Sequence, residues 1–539
     1  MTERQLDLAA PPPRSLWGDR EPPWLPDTVG RPARAAEAAW KIDPDPAFPD
    51  SILEGGRIGD LDVLACAVRG AKHRFEGTAR QDAAIARTAG QWVLAAVADG
   101  VGSVPDSQLA SEAAVRAFAA ELSRRLEHGE PNFAKHELGL FKDISIKLRR
   151  LGGPRTTLTA AAVEAVPNQE GNYRYWIGRV GDSPAYAIVG DDLAALFKAE
   201  REDEYATATD ALPSEGIGDS FDAVTGELRP GQALMLVSDG IGDLMIADEL
   251  REYFAREWRS RPGDVDFMRQ VQVRRKSFDD DRSAAVLWAA PGGAPAGSTP
   301  MLKPASPRLA ADPEPRDAEV SGARVQHVEV RAASRRGAIA AAQGARRSAC
   351  VLLSYFHDRL VAVAAAPKLG TGPGAGAERW ARKLMEIIEH WPPGPSEVDW
   401  TMSVWKGAYQ SMERGPEFDP AGLTSTVVTA YPDHEGRVYY TAGVQGPLTA
   451  VKTSGGIKQG LWELPGELVA RYEVDPGSSL DLYSGRLLGS QALLLGGGFD
   501  TAAMAETLVD RPGPLQLFGA LERQAGPEDG YAVAMWSER

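Results

Sequence analysis

Short apolar runs separated by turn residues dominate the first half of the chain. Runs at 61–68, 83–86 and 92–98 are bounded by turn-forming residues and read as strands. Residues 107–126 change period: Leu109, Ala113, Ala117, Ala120 and Leu126 recur at helical spacing, with Asp106 or Ser107 placed to cap the N-terminus. A second helical stretch is expected over 133–151. Strand-like runs follow at 158–166, 173–180, 185–189, 233–237 and 283–288. Strands, two helices, many strands, helices and a last strand suit two sheets packed on each other with helices outside, an α+β architecture.

The second half repeats this pattern at low identity. Trp92 to Ser103 aligns with Leu360 to Thr371 at an offset of 268, which holds back to Gln81 against Ala349. A helix pair is expected at 377–391 and 397–412, then strands at 426–430 and 438–441. Val444-Gln445-Gly446-Pro447 aligns with Gly181-Asp182-Ser183-Pro184, 491–495 with 232–236, and 528–536 with 280–288. Five matches in the same order point to a duplicated domain.

Composition divides the 539 residues further. Residues 1–50, with Pro11 to Pro13, Trp17, Trp24 and Trp40, form a Pro/Trp-rich extension that either wraps a folded domain or stays disordered. Prolines crowd 291–322, which reads as a linker. The expected domains are therefore 51–290 and 323–539. The formal charge of −16 excludes the basic face a nucleic-acid partner needs. No apolar run long enough to span a bilayer occurs, and the start of the chain lacks the apolar core of a signal peptide. No membrane association and a cytoplasmic location are the expectation. Cys66 and Cys350 sit in apolar runs without CxxC spacing, as buried reduced thiols do.

Four acidic turns punctuate the first half: Arg80-Gln81-Asp82, Asp99-Gly100, Ser238-Asp239-Gly240 and Asp279-Asp280-Asp281. One Asp-Gly is an ordinary turn. Several aspartates at strand ends can converge on one edge of a sandwich and offer the oxygen ligands that hard divalent cations prefer. Together with Gly181-Asp182-Ser183 and Thr156-Thr157, this ordered set resembles the metal-dependent Ser/Thr protein phosphatases, the type 2C family, over about 55–290. His73, Gly77, Gln81 and Asp82 match the opening of its bacterial branch.

The resemblance implies a four-layer αββα β-sandwich flanked by helices, here twice in tandem. It implies hydrolysis of phosphoserine and phosphothreonine in proteins by a metal-activated water, using two Mn or Mg ions and sometimes a third. Asp99, Asp239 and Asp280 would be the catalytic set. The metal ligands would be Asp82, Asp99, the Gly100 carbonyl, Asp182, Asp239 and Asp280, with Gln81 where many members carry a second-metal glutamate. Gly77 replaces a phosphate-binding arginine, for which Arg80, Arg155 or Arg69 are candidates. Val101 stands where some members carry a histidine, for which His73 is the candidate general acid. The acidic segment 200–222 lies where members insert a flap. In the second half Pro367 and Lys368 replace Asp99 and Gly100. Cys350 replaces Asp82, Gln445 replaces Asp182, Gly497 or Gly498 replaces Asp239, and only Glu528 keeps a carboxylate. That copy reads as a pseudophosphatase for regulation or partner binding, a cognate Ser/Thr kinase being one such partner. The competing functions are a non-catalytic scaffold or sensor that binds metal or phosphopeptide at the same site, and a small-molecule phosphatase.

Overall fold

The computed structural model describes residues 48–127, 133–197, 210–275, 278–291, 318–325, 328–336, 349–367, 376–393, 396–411, 423–432, 437–445, 449–454, 461–463, 467–475, 478–487, 491–497, 504, 514–524 and 529–537. The Pro/Trp-rich extension up to residue 47, most of the proline-rich stretch, the acidic flap up to residue 209, Lys368, Gly498 and Glu528 lie outside them.

The first half contributes eleven strands: β1 (Ser51–Ile58), β2 (Leu61–Val68), β3 (Ala83–Ala89), β4 (Trp92–Ala98), β5 (Leu158–Glu164), β6 (Tyr173–Val180), β7 (Ala185–Val189), β8 (Asp192–Ala195), β9 (Phe221–Leu228), β10 (Ala233–Val237) and β11 (Arg282–Ala289). Its helices are α1 (Ala71–Glu76), α2 (Ser107–Glu127), α3 (Phe133–Leu148), the short turns α4 (Ile217–Ser220) and α5 (Asp239–Gly242), α6 (Asp248–Glu257) and α7 (Asp264–Val271). The expected helix over 133–151 gives way to a 3₁₀ turn at Arg149–Leu151, where Gly152 takes a left-handed φ of 80° and ends it.

Residue alternation sorts these strands into layers. In β4, Trp92, Leu94, Ala96 and Ala98 face α2 and α3, against Phe118, Phe141 and Ile144. Val93, Ala95 and Val97 face the opposite sheet, against Val63, Leu234 and Leu287. The far side of that opposite sheet, with Leu64, Met235 and Val286, is covered by Phe254 of α6 and Phe267 of α7. A strand covered on both faces must be apolar throughout, which is why β4 reads as a continuous run rather than an alternating one.

The second half supplies β12 (Ala318–Val325), β13 (Val328–Arg335), β14 (Cys350–Phe356), β15 (Arg359–Pro367), β16 (Leu423–Pro432), β17 (Val438–Gln445), β18 (Thr449–Ser454), β19 (Leu461–Glu463), β20 (Glu467–Asp475), β21 (Ser478–Leu487), β22 (Gln491–Gly497) and β23 (Gly530–Ser537). Its helices are α8 (Gly376–His390), α9 (Glu397–Ser411) and α10 (Pro514–Arg523). Five strands run β3-β4-β5-β6-β9 in one sheet, and six run β14-β15-β16-β17-β21-β20 in another. The third sheet is continuous through both halves, in the order β19-β18-β22-β23-β13-β12-β1-β2-β11-β10-β7-β8. Read outward from its centre, each half of that sheet lays its strands down in the same order along the chain.

The halves meet at this centre. β1 and β12 pair antiparallel through Ser51↔Val320, Ile52↔Glu319 and Leu53↔Ala318. One apolar cluster holds Leu53, Met235 and Phe267 together with Ala318, Val320, Leu494 and Phe518. Residues 318–322, expected as the end of the linker, are therefore strand, and Ala318 and Val320 are buried in the shared core.

Strand register also corrects the correspondence between halves. The β3–β4 hairpin closes on Ala89↔Trp92, and the β14–β15 hairpin on Phe356↔Arg359. Matched hairpin to hairpin, Trp92 stands against Arg359, an offset of 267 rather than 268. Side-chain direction agrees: Leu94 faces α2 and α3, and Val361, its counterpart at the new offset, faces α8 and α9. The sequence offset would turn every such residue to the wrong face.

Candidate metal centre

Strand ends from both sheets of the first sandwich meet at one edge. Ala83↔Ala98, Val97↔Thr159 and Leu158↔Val180 align the ends of β3, β4, β5 and β6. Leu236↔Ala185 and Val237↔Ala284 do the same for β7, β10 and β11. Asp82, Asp99, Asp182, Asp239 and Asp280 all lie just beyond those ends.

The turn at Asp99 is held by its backbone. Its carbonyl accepts from Thr156 Oγ1 at 2.8 Å and from the Thr157 amide at 2.8 Å, and its own amide donates to Thr157 Oγ1 at 3.0 Å. Thr157 Oγ1 lies 2.8 Å from Ser183 Oγ, which ties the Asp99 turn to the Asp182 turn. The Thr156-Thr157 pair is therefore part of the frame. The Gly100 amide donates to the Gln81 carbonyl at 3.2 Å. A Cβ at Gly100 would stand 2.9 Å from the carbonyl oxygens of Gln81 and Ser107, so only glycine lets the turn come this close. At Gly240 the crowding is worse: a Cβ would lie 1.9 Å from the Asp281 carbonyl oxygen.

Burial is graded across the cluster. Asp82 is buried, Asp99, Asp182 and Asp239 are half-buried, and Asp280 is exposed, so the site opens on the Asp280 side. Burial, followed by the charges of Asp82, Asp239 and Asp182, holds the Asp99 carboxyl well above the usual range. Asp82 is pushed up to about 8 by burial, then by Asp281 and Asp239, against a partial opposing pull from the Ser238 and Ser283 hydroxyls. Asp239 is raised by burial and then by Asp182, Asp280 and Asp243. Asp243, in the turn after α5, is a member the sequence reading missed. Burial raises it, followed by the Asp182 and Asp280 charges. Its signal was available in Asp239-Gly-Ile-Gly-Asp243, where four-residue spacing returns a carboxylate to one face of a helical turn.

This donor set fits divalent cations. It is all oxygen, as Mg and Mn require. Asp82 Oδ2 is buried and accepts no hydrogen bond from the described residues. Like charges packed this closely repel one another, and a bound cation reverses that cost. Gln81 is placed to join: a Cβ at Gly102 would lie 3.4 Å from its Oε1, which puts the amide beside the Asp99 turn.

Asp281 plays a different part from its neighbour Asp280. Its Oδ1 accepts from the Gly70 amide at 2.5 Å and pairs with His73 Nδ1 at 2.8 Å, and its Oδ2 accepts from the Gln81 amide at 2.5 Å. Burial alone would raise its pKa, but His73 and these amides more than offset that and lower it. The potential ligand atoms of His73, Asp280 and Asp281 lie within 4.8 Å of one another. Asp281, saturated by donors, is a clamp on the loop before β3. His73 is buried and bound to it, which ties the imidazole into this clamp.

The arginine candidates separate clearly. Arg69 is buried, with Nη1 on Asp50 Oδ1 at 2.9 Å and Nη2 on the His73 carbonyl at 3.0 Å. Arg80 is buried against the carbonyls of Pro49 and Asp82 and the Glu112 carboxylate. Both are turned inward and hold the frame together. Arg155 is half-buried beside the Asp99 turn. Its carbonyl accepts from the Val101 amide at 3.0 Å, its Nη2 reaches the Ala211 carbonyl at 3.4 Å, and its Nε has no hydrogen-bond partner among the described residues.

Residues 69–271 match the family model described as Protein phosphatase 2C. Among solved structures, the chain is similar to PppA, a key regulatory component of T6SS in Pseudomonas aeruginosa, at 16% identity over 44% of this chain and 99% of that one, with a TM-score of 0.33. The PPM Ser-Thr phosphatase MsPP from Mycobacterium smegmatis, in complex with cacodylate, is 21% identical over 43% of this chain and 100% of its own, with a TM-score of 0.31. The catalytic domain of the serine threonine protein phosphatase PstP, in complex with two manganese ions, is 21% identical over 43% of this chain and 98% of its own, with a TM-score of 0.28. No curated protein matches the sequence.

Proposed function

From a protein phosphatase 2C domain at 69–271, we propose that the first half of this chain is a metal-dependent phosphoserine/phosphothreonine protein phosphatase. The observation that carries this reading is the convergence of Asp82, Asp99, Asp182, Asp239 and Asp280, with burial and mutual repulsion raising Asp82, Asp99 and Asp239. Asp99, Asp239 and Asp280 would hold one ion. Asp99, the Gly100 carbonyl and Gln81 would hold a second, and Asp182 with Asp239 and Asp243 a third. Mn or Mg bound there would supply an acidified water and neutralise charge on the phosphoryl oxygens. The threonine–serine frame fixes the backbone of the Asp99 turn before substrate arrives, which limits the reorganisation left for the reaction. Arg155, beside the Asp99 turn with a donor to spare, is the phosphate contact in this reading.

The second half is, in this proposal, a degenerate copy that regulates the first or binds a partner. Its strand order parallels that of the first half, and counting from the paired strand ends would set Ala349 against Asp82, Ala366 against Asp99 and Pro367 against Gly100. These differ from the sequence correspondence, which set Cys350 against Asp82 and Pro367 against Asp99. Cys350 and Gln445 lie in strands, and both are buried. Tyr531, at the place of Ser283, buries its ring between the sheets, with its hydroxyl 3.4 Å from Thr426 Oγ1. A large ring there takes the room that small hydroxyls leave beside Asp82 in the first half. The substrate would be a phosphoprotein. Among the described residues no helix is long and apolar enough to cross a membrane.

The test is hydrolysis of p-nitrophenyl phosphate and phosphopeptides with manganese, wild type against Asp99→Asn and Asp239→Asn. Activity abolished by both substitutions supports the enzyme. Manganese binding without turnover of any of these substrates would favour the scaffold or sensor reading, which the inward-turned Arg69 and Arg80 support.

A further inference from the structure

The second half is linked, through Asp50 and Arg69, to the loop that frames the candidate metal site. Asp50, the residue before β1, is buried at the seam between the halves. Its Oδ2 accepts from the amide of Gly322 in β12 at 3.0 Å, and its own amide donates to Ser321 Oγ at 3.3 Å. Its Oδ1 accepts from Arg69 Nη1 at 2.9 Å, and Arg69 Nη2 donates to the carbonyl of His73 in α1 at 3.0 Å. The same carbonyl accepts from the Gly77 and Thr78 amides at 2.9 and 3.1 Å, so it fixes the end of α1. His73 Nδ1 then meets Asp281, whose other oxygen accepts from the Gln81 amide, next to Asp82. The Gln81 carbonyl accepts from Gly100.

We propose that Asp50 and Arg69 are positioning residues through which the second half, by Ser321 and Gly322, holds the loop 70–82 in the geometry that binds metal. This rests on the metal-site reading above. The bonds of Asp50 to Gly322 and Arg69, and of Arg69 to the His73 carbonyl, are buried, and a buried charge that loses its partner destabilises what it held. Neutralising Asp50 releases Arg69, so the His73 carbonyl loses a charge-assisted donor. Outer partners that orient metal ligands commonly govern affinity by about ten-fold or more. The second half would then be a built-in brace whose contact with β1 sets how well the first half takes up its ions.

The full chain is titrated with Mn²⁺ alone by calorimetry. Amide exchange over 70–82 is followed separately in EDTA. Asp50→Asn should weaken Mn²⁺ binding about ten-fold and speed exchange over 70–82 without metal. Ser321→Ala, the milder change from the other half, should shift both in the same direction. Arg336→Ala removes a different bond between the halves, Nη2 to the Gly55 carbonyl at 3.3 Å, and should lower Tm while leaving both readouts unchanged. Arg69→Lys, which keeps the charge but not the fork, replaces Asp50→Asn if that variant does not fold. Unchanged Mn²⁺ affinity in Asp50→Asn and Ser321→Ala overturns the relay and leaves the metal site standing. An equal loss in Arg336→Ala overturns it as well, because any loosening of the seam would then suffice. A wild type that binds no Mn²⁺ overturns the metal site and the relay with it.

Discussion

Asp99 shows how one residue changes meaning with its surroundings. In an isolated turn its carboxylate would be solvated and ionised. Here burial and three neighbouring aspartates hold its pKa well up, so the ionised form is costly without a cation. Asp99→Asn should therefore abolish manganese-dependent hydrolysis yet raise the Tm of the metal-free protein, since it removes a charge that repels its neighbours. Differential scanning fluorimetry in EDTA checks the second half of that statement, and a fall in Tm would count against the like-charge account. The same physics gives a pH dependence. Burial, followed by its acidic neighbours, pushes Asp82 up to about 8 in the fold, against about 3.9 in the unfolded chain. The fold thus binds the proton more tightly, so its contribution is complete below about pH 4 and is lost as pH rises towards 8. Metal-free protein should lose Tm between pH 6 and 8.5, and saturating Mn²⁺ should flatten that slope. Arg155→Ala should raise KM for phosphopeptides several-fold, with Mn²⁺ affinity unchanged, if this guanidinium meets the phosphate.

At the scale of elements, the turns are as constrained as the ligands they carry. β10 ends in Ser238-Asp239-Gly240 and β11 begins after Asp280-Asp281, and the two turns touch where Gly240 meets the Asp281 carbonyl. Gly240→Ala forces that carbonyl to move, and with it both Asp280 and the Asp281 clamp. Gly100→Ala, with its Cβ at 2.9 Å from two carbonyl oxygens, asks for a smaller shift. Gly240→Ala should accordingly cost more Mn²⁺ affinity and more stability than Gly100→Ala, by an amount in the range of about 1–3 kcal/mol for overpacked sites. Paired Mn²⁺ titrations and denaturant unfolding would rank them, and the reverse order would refute the argument. Most strands were legible in sequence because burial on both faces demands unbroken apolar runs. The register between halves was not: an offset of 268 and one of 267 give nearly the same apolar alignment, and only hairpin pairing and face direction separate them.

At the scale of the whole molecule, the two halves share one twelve-stranded sheet and one apolar cluster. Phe267 of α7 and Phe518 of α10 belong to the same apolar cluster, and a Cβ at Gly519 would lie 3.7 Å from Val265. Two domains joined only by a linker would unfold separately. Halves that share twelve strands and a core should unfold together. Calorimetry of the metal-free chain should show one endotherm, and Phe518→Ala should lower it as a unit, at a cost of about 3–5 kcal/mol for a buried aromatic. Two resolved endotherms, with only the later half shifted, would contradict the shared core.

The sequence by itself determined many of the strands, the helix pair after β4 and the aspartates that stand at strand ends, because hydrophobic period and turn chemistry are local properties. Only the tertiary structure decided which of the charged residues near those strand ends are bonded into the surrounding frame. Arg69, Arg80, His73 and Asp281 look like site chemistry in one dimension, yet each is bonded into the frame. Asp243 looks like a surface turn, yet it feels the charges of Asp182 and Asp280. Nor could the chain announce that β1 and β12 would join the halves, since pairing across more than 260 residues depends on which edges are left open once each sandwich has closed.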